Sequence, residues 1–530
     1  MSEKRTRQLT PEERARRIAY RKKRKVIVPV SRISFLLHLA LSVIFVLVLK
    51  GLGFIPNKYL IVLAVVLGVF NVLHAIIAFA SKASNSRKIT QSVICVLMSA
   101  LLATGSIIAP NYIGKIQKMF GVVPTEGEMN INVYTLKEKN FGSVQNLAGR
   151  KIGIQTKLDL EYQDYAVSVV NREITGNDIV KYNCDDIYDA VEKLYAGDVE
   201  AIMLNETYAE IIEENEDYKD FAEKTEVLYS CIQKIKLDYD VDRVGNITSE
   251  PFVIGVIGND SWDLKSVTKT TKFRSDVNML VAVNPKTKQV LIVSVPRDSY
   301  VAIDGVASQM DKLTHAPYVK GINGWIRTME SFLGVPMNYF VKINFRSMVN
   351  IVNALGGIDV DNPYEFSTTY VSYNGKKTPT TFPAGRIHLD GESALGYVRE
   401  RKSLKKGDLG RNEHQTIVMK AMINKATSVE VISKISSLLE ALSGNEKKGE
   451  PPAFFTSITS DQIFAIAQMQ LNDMATWNIQ SVAITGTTGM YKSWATGTNL
   501  SMVIPADSTV QKVKQYLSAL MNGQPFNTES

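Results

Sequence analysis

Arg274-Ser275-Asp276 stands immediately before an apolar run, Val277 to Val283, and Pro296-Arg297-Asp298 immediately after another, Val290 to Val295. Asp260 follows a third run, Phe252 to Gly258, and Arg399, Arg401, Asp408, Arg411 and Gln415 gather further along. Read as strands, the apolar runs put these side chains at strand ends, where loops converge on a shared rim. Each guanidinium offers a planar fork of donors matched to phosphate or carboxylate oxygens, so several arginines at one rim need an anionic partner. Either a phosphate-bearing ligand or local arginine–aspartate salt bridges would meet that need. The first implies phosphoryl chemistry, which depends on charge neutralisation and alignment more than on a covalent nucleophile. No Ser-His-Asp constellation and no histidine-rich metal cluster competes in the sequence.

The elements that must hold these groups are legible around them. Val277 to Val283 and Val290 to Val295 form a hairpin through the turn-like Asn284-Pro285-Lys286-Thr287-Lys288. Met337 to Ile343 is a further strand, and Phe345 to Leu355 an amphipathic helix stopped by Gly356-Gly357. After a loop from Gly444 to Pro452 come a helix from Ser460 to Met474, a strand from Ile479 to Ile484 and a closing helix from Asp507 to Met521. This last part carries no chemical motif and is expected to complete the fold. Upstream, residues 128–245 read as a compact α/β unit, with strands at Ile131–Tyr134, Lys151–Ile154 and Val199–Leu204. A helix from Asp185 to Tyr195 ends at Gly197-Asp198. The run Leu147 to Gln155, with Ala190 to Ile202 after it, resembles one lobe of a periplasmic solute-binding protein. With one lobe and no evident second, a spacer and interaction module is favoured over a ligand receptor.

The chain has 530 residues, 45% hydrophobic and 22% charged, which allows two to four domains and excludes global disorder. Its net charge is +8, and residues 1–25, with eleven basic side chains and three acidic ones, hold the whole excess. A basic folded domain that grips nucleic acid is therefore not expected. Three apolar stretches follow the tail, from about Ile33 to Ile55, Tyr59 to Ala80 and Ile89 to Ala109, each near the roughly 20 residues that cross a bilayer. The cluster Arg21 to Lys25 and the link carrying Lys82, Arg87 and Lys88 place both on the cytoplasmic side, so everything after Ala109 lies outside the cell. Three cysteines are too few for a disulfide framework; Cys184 and Cys231 fall in that extracytoplasmic part, where a bridge is permitted.

Six ordered motifs then become recognisable between residues 250 and 425. They are Arg-Ser-Asp with Asn-Met-Leu-Val-Ala-Val-Asn-Pro, Val-Ser-Val-Pro-Arg-Asp, Asp-Lys-Leu-Thr-His-Ala, Ala-Leu-Gly-Gly-Ile-Asp-Val, His-Leu-Asp-Gly-Glu-Ser-Ala-Leu-Gly-Tyr-Val-Arg-Glu-Arg and Gly-Asp-Leu-Gly-Arg-Asn-Glu-His-Gln. In this order they resemble the LytR-CpsA-Psr family, as does the three-span, outside-facing layout. The resemblance implies a phosphotransferase at the outer membrane face of a Gram-positive-type cell. It would take a glycopolymer, such as a teichoic acid or capsular polysaccharide, from a polyprenyl-pyrophosphate carrier and join it to peptidoglycan through a phosphodiester. Carried over motif by motif, Arg274, Arg297, Arg399, Arg401, Arg411 and Gln415 look like the pyrophosphate clamp, and Lys312 reaches the phosphates or the head-group sugar. Asp260 and Asp276 look like ligands of Mg2+ (or Mn2+), and Asp408 orients the arginines. Arg274, Arg297, Asp276, Arg401 and Asp408 would be the catalytic set. Two positions depart from the family: Asn259 replaces a common serine, and His414 stands where an arginine often precedes the final glutamine, removing one possible phosphate contact. The helix from Phe345 to Leu355 could line an apolar slot for the polyprenyl tail.

The expected class is α/β, with three transmembrane helices, a small accessory α/β domain and a catalytic α/β domain built on a mixed central sheet. The expected layout is a basic cytoplasmic tail (1–32), the spans (33–109), the accessory domain (128–245), the catalytic domain (250–520, motif core 250–425) and a tail (521–530). The expected partners are the lipid-linked polymer, peptidoglycan and membrane lipids, with no nucleic acid. Hydrolysis of the lipid carrier by the same residues and a non-catalytic envelope sensor are the competing functions. The polymer, the general base and the oligomeric state are not written in the chain.

Overall fold

The computed structural model describes residues 10–53, 55–120, 126–268, 271–372, 375–433, 435–444 and 451–528. Most of the loop expected from Gly444 to Pro452 lies outside them. The chain divides into two units, one formed mainly by residues 1–119 and the other by the rest apart from residues 464–474.

In the first unit the three apolar stretches are long helices: α1 (Pro11–Gly51), α2 (Asn57–Phe79) and α3 (Asn85–Phe120). Thr10 starts α1 with a capping box, its hydroxyl accepting from Glu13 N–H while the Glu13 carboxylate accepts from Thr10 N–H. All three are long and apolar enough to cross a membrane. Their outward faces leave Leu36, Ile61, Val65, Leu97 and Leu101 half or more exposed, which suits lipid and not water. The polar residues that interrupt these stretches turn inward: Ser31 donates to Gln91 at 2.6 Å, and Asn71 donates to Ser42, itself bonded to His38. Lys88 donates to the carbonyls of Ile77 and Ala78, satisfying the last turn of α2.

The second unit begins with a five-stranded sheet made of β1 (Glu126–Leu136), β2 (Lys151–Gln155), β3 (Val180–Cys184), β4 (Ala201–Asn205) and β5 (Thr225–Lys236), in the order β3-β2-β4-β1-β5. Helices α4 (Leu160–Glu173) and α5 (Ile187–Ala196) connect its strands. Asp186 caps α5 by accepting from Tyr188 and Asp189 N–H, and Gly197 ends it at φ +78. Cys184 on β3 belongs to the core on one face of this sheet and Cys231 on β5 to the core on the other. Both thiols are free, so the permitted bridge is not made: the sheet lies between them.

The central sheet is mixed, as expected. Its strands are β6 (Phe252–Asn259), β7 (Val277–Asn284), β8 (Gln289–Ser294), β9 (Tyr339–Asn344), β10 (Phe455–Thr456) and β11 (Asn478–Ala483), in the order β10-β9-β6-β7-β8-β11. The pairs β9–β6 and β11–β8 are parallel, and β6–β7–β8 is an antiparallel meander. The C-terminal part therefore does complete the fold, with β11 as an edge strand. Gly255 on β6 is obligatory for packing: a Cβ there would lie 2.3 Å from Met337 Sδ and 2.6 Å from the Trp325 ring. Helices α7 (Ala316–Leu333, kinked at Gly321), α8 (Phe345–Ala354), α9 (Gly391–Arg399) and α10 (Asp408–Ala426) follow, and α11 (Asp507–Met521) closes the chain. A hairpin of β12 (Gly486–Lys492) and β13 (Asn499–Pro505) precedes α11.

Candidate active site

Antiparallel pairing decides where the arginines meet. Gly258 on β6 is opposite Val277 on β7, and Met279 on β7 is opposite Ser294 on β8, so the end of β6, the start of β7 and the end of β8 share one rim. Backbone hydrogen bonds lace the loops there. Asp276 N–H donates to Gly258 O, Ser275 N–H to Thr314 O, and Thr314 N–H to Arg297 O. Beneath them Asn278 donates to Ser275 O at 3.0 Å and accepts from the fully buried Trp325 Nε1 at 2.6 Å, which fixes the Arg274–Asp276 turn.

On this frame six side chains form a closed ring of alternating charge. Arg274 Nε contacts Asp276 Oδ1 at 3.0 Å, and Arg297 Nη1 contacts the same oxygen at 2.5 Å. Arg297 Nε lies 3.8 Å from Asp298 Oδ2, and Lys312 Nζ 3.2 Å from Asp298 Oδ1. Glu214 closes the circle, with Oε2 3.4 Å from Lys312 Nζ and Oε1 3.1 Å from Arg274 Nη1. All six are largely buried, and burial by itself disfavours the charged form of the two arginines. Asp276 and the other nearby acids outweigh it and hold both guanidiniums more strongly protonated than usual.

A second cluster faces the ring from α9 and α10. Asp408, Arg411 and Gln415 are spaced i, i+3 and i+7 on α10, hence on one face. Gly407 precedes them at φ +53 and ψ −119, a backbone shape that favours glycine. Arg411 lies 2.5 Å from Asp408 Oδ1, yet burial is the dominant influence and holds its charge below the normal guanidinium range. The Nε atoms of Arg411 and Arg297 are buried without a hydrogen-bond partner. Arg399 lies 4.0 Å from Asp260 Oδ1 and packs over the Phe345 ring. His414 faces the other way, stacked on Tyr397 with Nδ1 3.1 Å from Tyr397 O; the departure from the family's arginine thus belongs to the core.

The predicted residues open onto two cavities that share Arg297. One, of about 590 Å³, is lined by Arg274, Arg297, Lys312, Arg401 and Asp408, with Glu214 and the β12–β13 hairpin as further walls. The other, of about 160 Å³, is lined by Asp260, Asp276, Arg297, Arg399, Arg411 and Gln415, and is backed by Val277, Ile343, Phe345, Met348, Leu395 and Val398. All ten predicted side chains are thus brought to one rim. The local arginine–aspartate salt bridges that the sequence allowed are made, at Arg274–Asp276, Arg297–Asp276 and Arg411–Asp408.

Three contributors have no role assigned from the sequence, although Asp298 and Asp311 stand inside its motifs. Asp298 is the cheapest to find, being adjacent to Arg297 at a strand end. Asp311 accepts from His315, Lys312 N–H, Ser493 and Ala495 N–H, and so anchors the Lys312 strand to the C-terminal part. Glu214 is one acid in an acid-rich stretch, with nothing local to single it out.

Asp260 and Asp276 are adjacent, Asp276 Oδ2 accepting from Asp260 N–H at 3.1 Å. Burial, and then the charge of Asp276, push the Asp260 carboxyl above its ordinary range. Two adjacent carboxylates fit the donor set of a magnesium ion, which takes one or two carboxylates and fills the rest of its shell with water and other oxygens.

Comparison with known proteins gives consistent results. A Bacillus mycoides protein named polyisoprenyl-teichoic acid–peptidoglycan teichoic acid transferase TagU is 33% identical over 272 residues, covering 51% of this chain and 81% of that one. The protein of that name from Enterococcus faecalis is 35% identical over 230 residues, 43% of this chain and 70% of the other. The crystal structure of Bacillus subtilis TagV is 28% identical, covers 52% of this chain and 99% of that one, and has a TM-score of 0.42. Residues 208–518 match the LytR_cpsA_psr family. This chain is a member of the LytR_cpsA_psr family.

Proposed function

We infer that the protein is a membrane-anchored transferase that moves a glycopolymer from a polyprenyl-pyrophosphate carrier to peptidoglycan. The observation that carries this is the gathering of Arg274, Arg297, Arg399, Arg401 and Arg411 around two adjoining cavities that share Arg297. The similarity to transferases of teichoic acid to peptidoglycan supplies the polymer and the acceptor.

In this mechanism a hydroxyl of the acceptor attacks the phosphorus next to the glycan. A new P–O bond to the acceptor oxygen forms, the P–O bond to the polyprenyl phosphate breaks with its electron pair going to that leaving group, and the hydroxyl proton ends on the departing phosphate. Arg274, Arg297 and Lys312 neutralise the diphosphate from the large cavity; Arg399 and Arg411 do so from the small one, where Gln415 donates a hydrogen bond. Arg401 stands at the mouth of the large cavity, where the polymer enters. Asp408 orients Arg411. Asp260 and Asp276 would hold Mg2+ (or Mn2+), which when bound neutralises developing charge on the phosphate oxygens. The apolar back wall of Phe345, Met348, Leu395 and Val398 receives the first prenyl units, a narrower slot than the whole α8 stripe expected from sequence. The three apolar helices anchor the protein, with the basic tail inside against anionic lipid and the catalytic unit outside.

The decisive experiment supplies the full chain with a labelled lipid-pyrophosphate glycan and peptidoglycan fragments. A new glycan–peptidoglycan phosphodiester is expected. Release of free phosphorylated glycan alone would make the protein a hydrolase, and no turnover would leave it a sensor.

A further inference from the structure

Four of the six ring members come from loops at the strand ends of the central sheet, and Lys312 ends a short strand, Met310–Lys312, paired with Tyr300–Ala302 downstream of β8. Glu214 is the exception. It follows a four-residue helix, α6 (Ala209–Ile212), in the segment between β4 and β5. Ile211 and Ile212 are fully buried in a core shared with Tyr318 and Ala495, so the turn is held while the glutamate side chain reaches out from its end. Tyr208, just before it, donates to Asp159, and Asp159 also pairs with buried Lys272 at 3.1 Å, two residues before Arg274. The accessory segment is thus docked against the same loop that carries the clamp.

We propose that Glu214 is a built-in anion that occupies a phosphate seat between Arg274 and Lys312 in the ligand-free protein and gives it up to the incoming diphosphate. This rests on the reading of the site as a diphosphate clamp. Its two oxygens meet two different cations, as two phosphate oxygens would, and it lines the cavity that Arg401 and Asp408 also line. Without it, Arg274 and Lys312 would each keep one carboxylate partner, Asp276 and Asp298, and the ring would carry one uncompensated buried positive charge. Leaving a buried charge unpaired is costly, so the carboxylate stabilises the empty site. A diphosphate and a carboxylate cannot share the seat, because like charges at hydrogen-bond distance repel. Three side-chain torsions let Glu214 swing toward the 590 Å³ cavity without moving its buried turn. Burial opposes its charge, but Lys312, His315, Arg274 and Arg297 outweigh that and keep it ionised. Occupancy of the clamp is therefore an exchange of anions, and the accessory segment sets its threshold.

The test measures binding of inorganic pyrophosphate to the full-length protein in detergent micelles, by calorimetry, for wild type, Glu214→Gln, Glu214→Ala and Arg297→Ala. Both Glu214 variants should bind about tenfold more tightly, the order expected when one partly buried competing contact is removed. Arg297→Ala should lose binding. If Arg297→Ala loses binding while both Glu214 variants bind as wild type or more weakly, the exchange is wrong and the diphosphate clamp stands. If Arg297→Ala binds as wild type, the clamp reading fails and the exchange with it.

Discussion

Arg297 is the residue whose replacement tests the site most sharply, because it bridges two acids and both cavities. In Arg297→Lys the charge stays but the fork goes. One ammonium can follow either Asp276, now 2.5 Å from Nη1, or Asp298, 3.8 Å from Nε, and cannot span both acids while presenting a planar fork to a phosphate. Asp276 retains Arg274 and Asp298 retains Lys312, so neither acid is stranded. The stability loss is then about one hydrogen bond, ~1 kcal/mol, and a melting shift of no more than about 2–4 °C. The loss in transfer is much larger. Removing one preorganised donor from charge that develops in a transition state costs about 10²–10³ in rate, or ~2.7–4 kcal/mol. The assay is single-turnover formation of the glycan–peptidoglycan phosphodiester by the full chain, beside a melting curve of the same preparation. More than half of wild-type transfer in Arg297→Lys would refute the bridging argument. A transfer loss matched by an equal loss of folded protein would refute the separation of site from scaffold.

Two further predictions concern the core. Burial holds the His414 imidazole below its usual 6.5, so the folded state keeps it neutral while the unfolded chain protonates. Stability contributed there is complete above about pH 6.5 and falls as pH drops below it; Phe at 414 should flatten that part of the melting-versus-pH profile, and an unchanged slope would count against it. Burial also pushes the Cys184 thiol up to about 12 and Cys231 to about 11. Neither should be alkylated by iodoacetamide at pH 8 in the native protein, and a reducing agent should leave the melting point unmoved; a mobility shift on reduction would contradict the two-faced arrangement.

The apolar runs, their turns and the helical spacing of Asp408, Arg411 and Gln415 were legible in the sequence, because side-chain period and backbone period are local properties. So were the three long apolar helices, since crossing a bilayer is a matter of length and composition. The sequence also placed Arg274, Asp276 and Arg297 at strand ends, which share a rim once the strands pair antiparallel.

What it could not show was partnership over distance. Glu214 meets Arg274 sixty residues away, and the β12–β13 hairpin walls a cavity whose other side begins near residue 274. His414 could be read as a weakened clamp member, whereas packing turns it onto Tyr397. Cys184 and Cys231 share a compartment that permits a bridge, yet the sheet separates them. In each case the deciding quantity is which surfaces close on one another, and that is set by the sum of many buried contacts rather than by any residue's own type. The sequence determined the charges at the site and the strands that carry them; only the tertiary structure decided that Glu214, an acid from the segment between β4 and β5, would complete their ring.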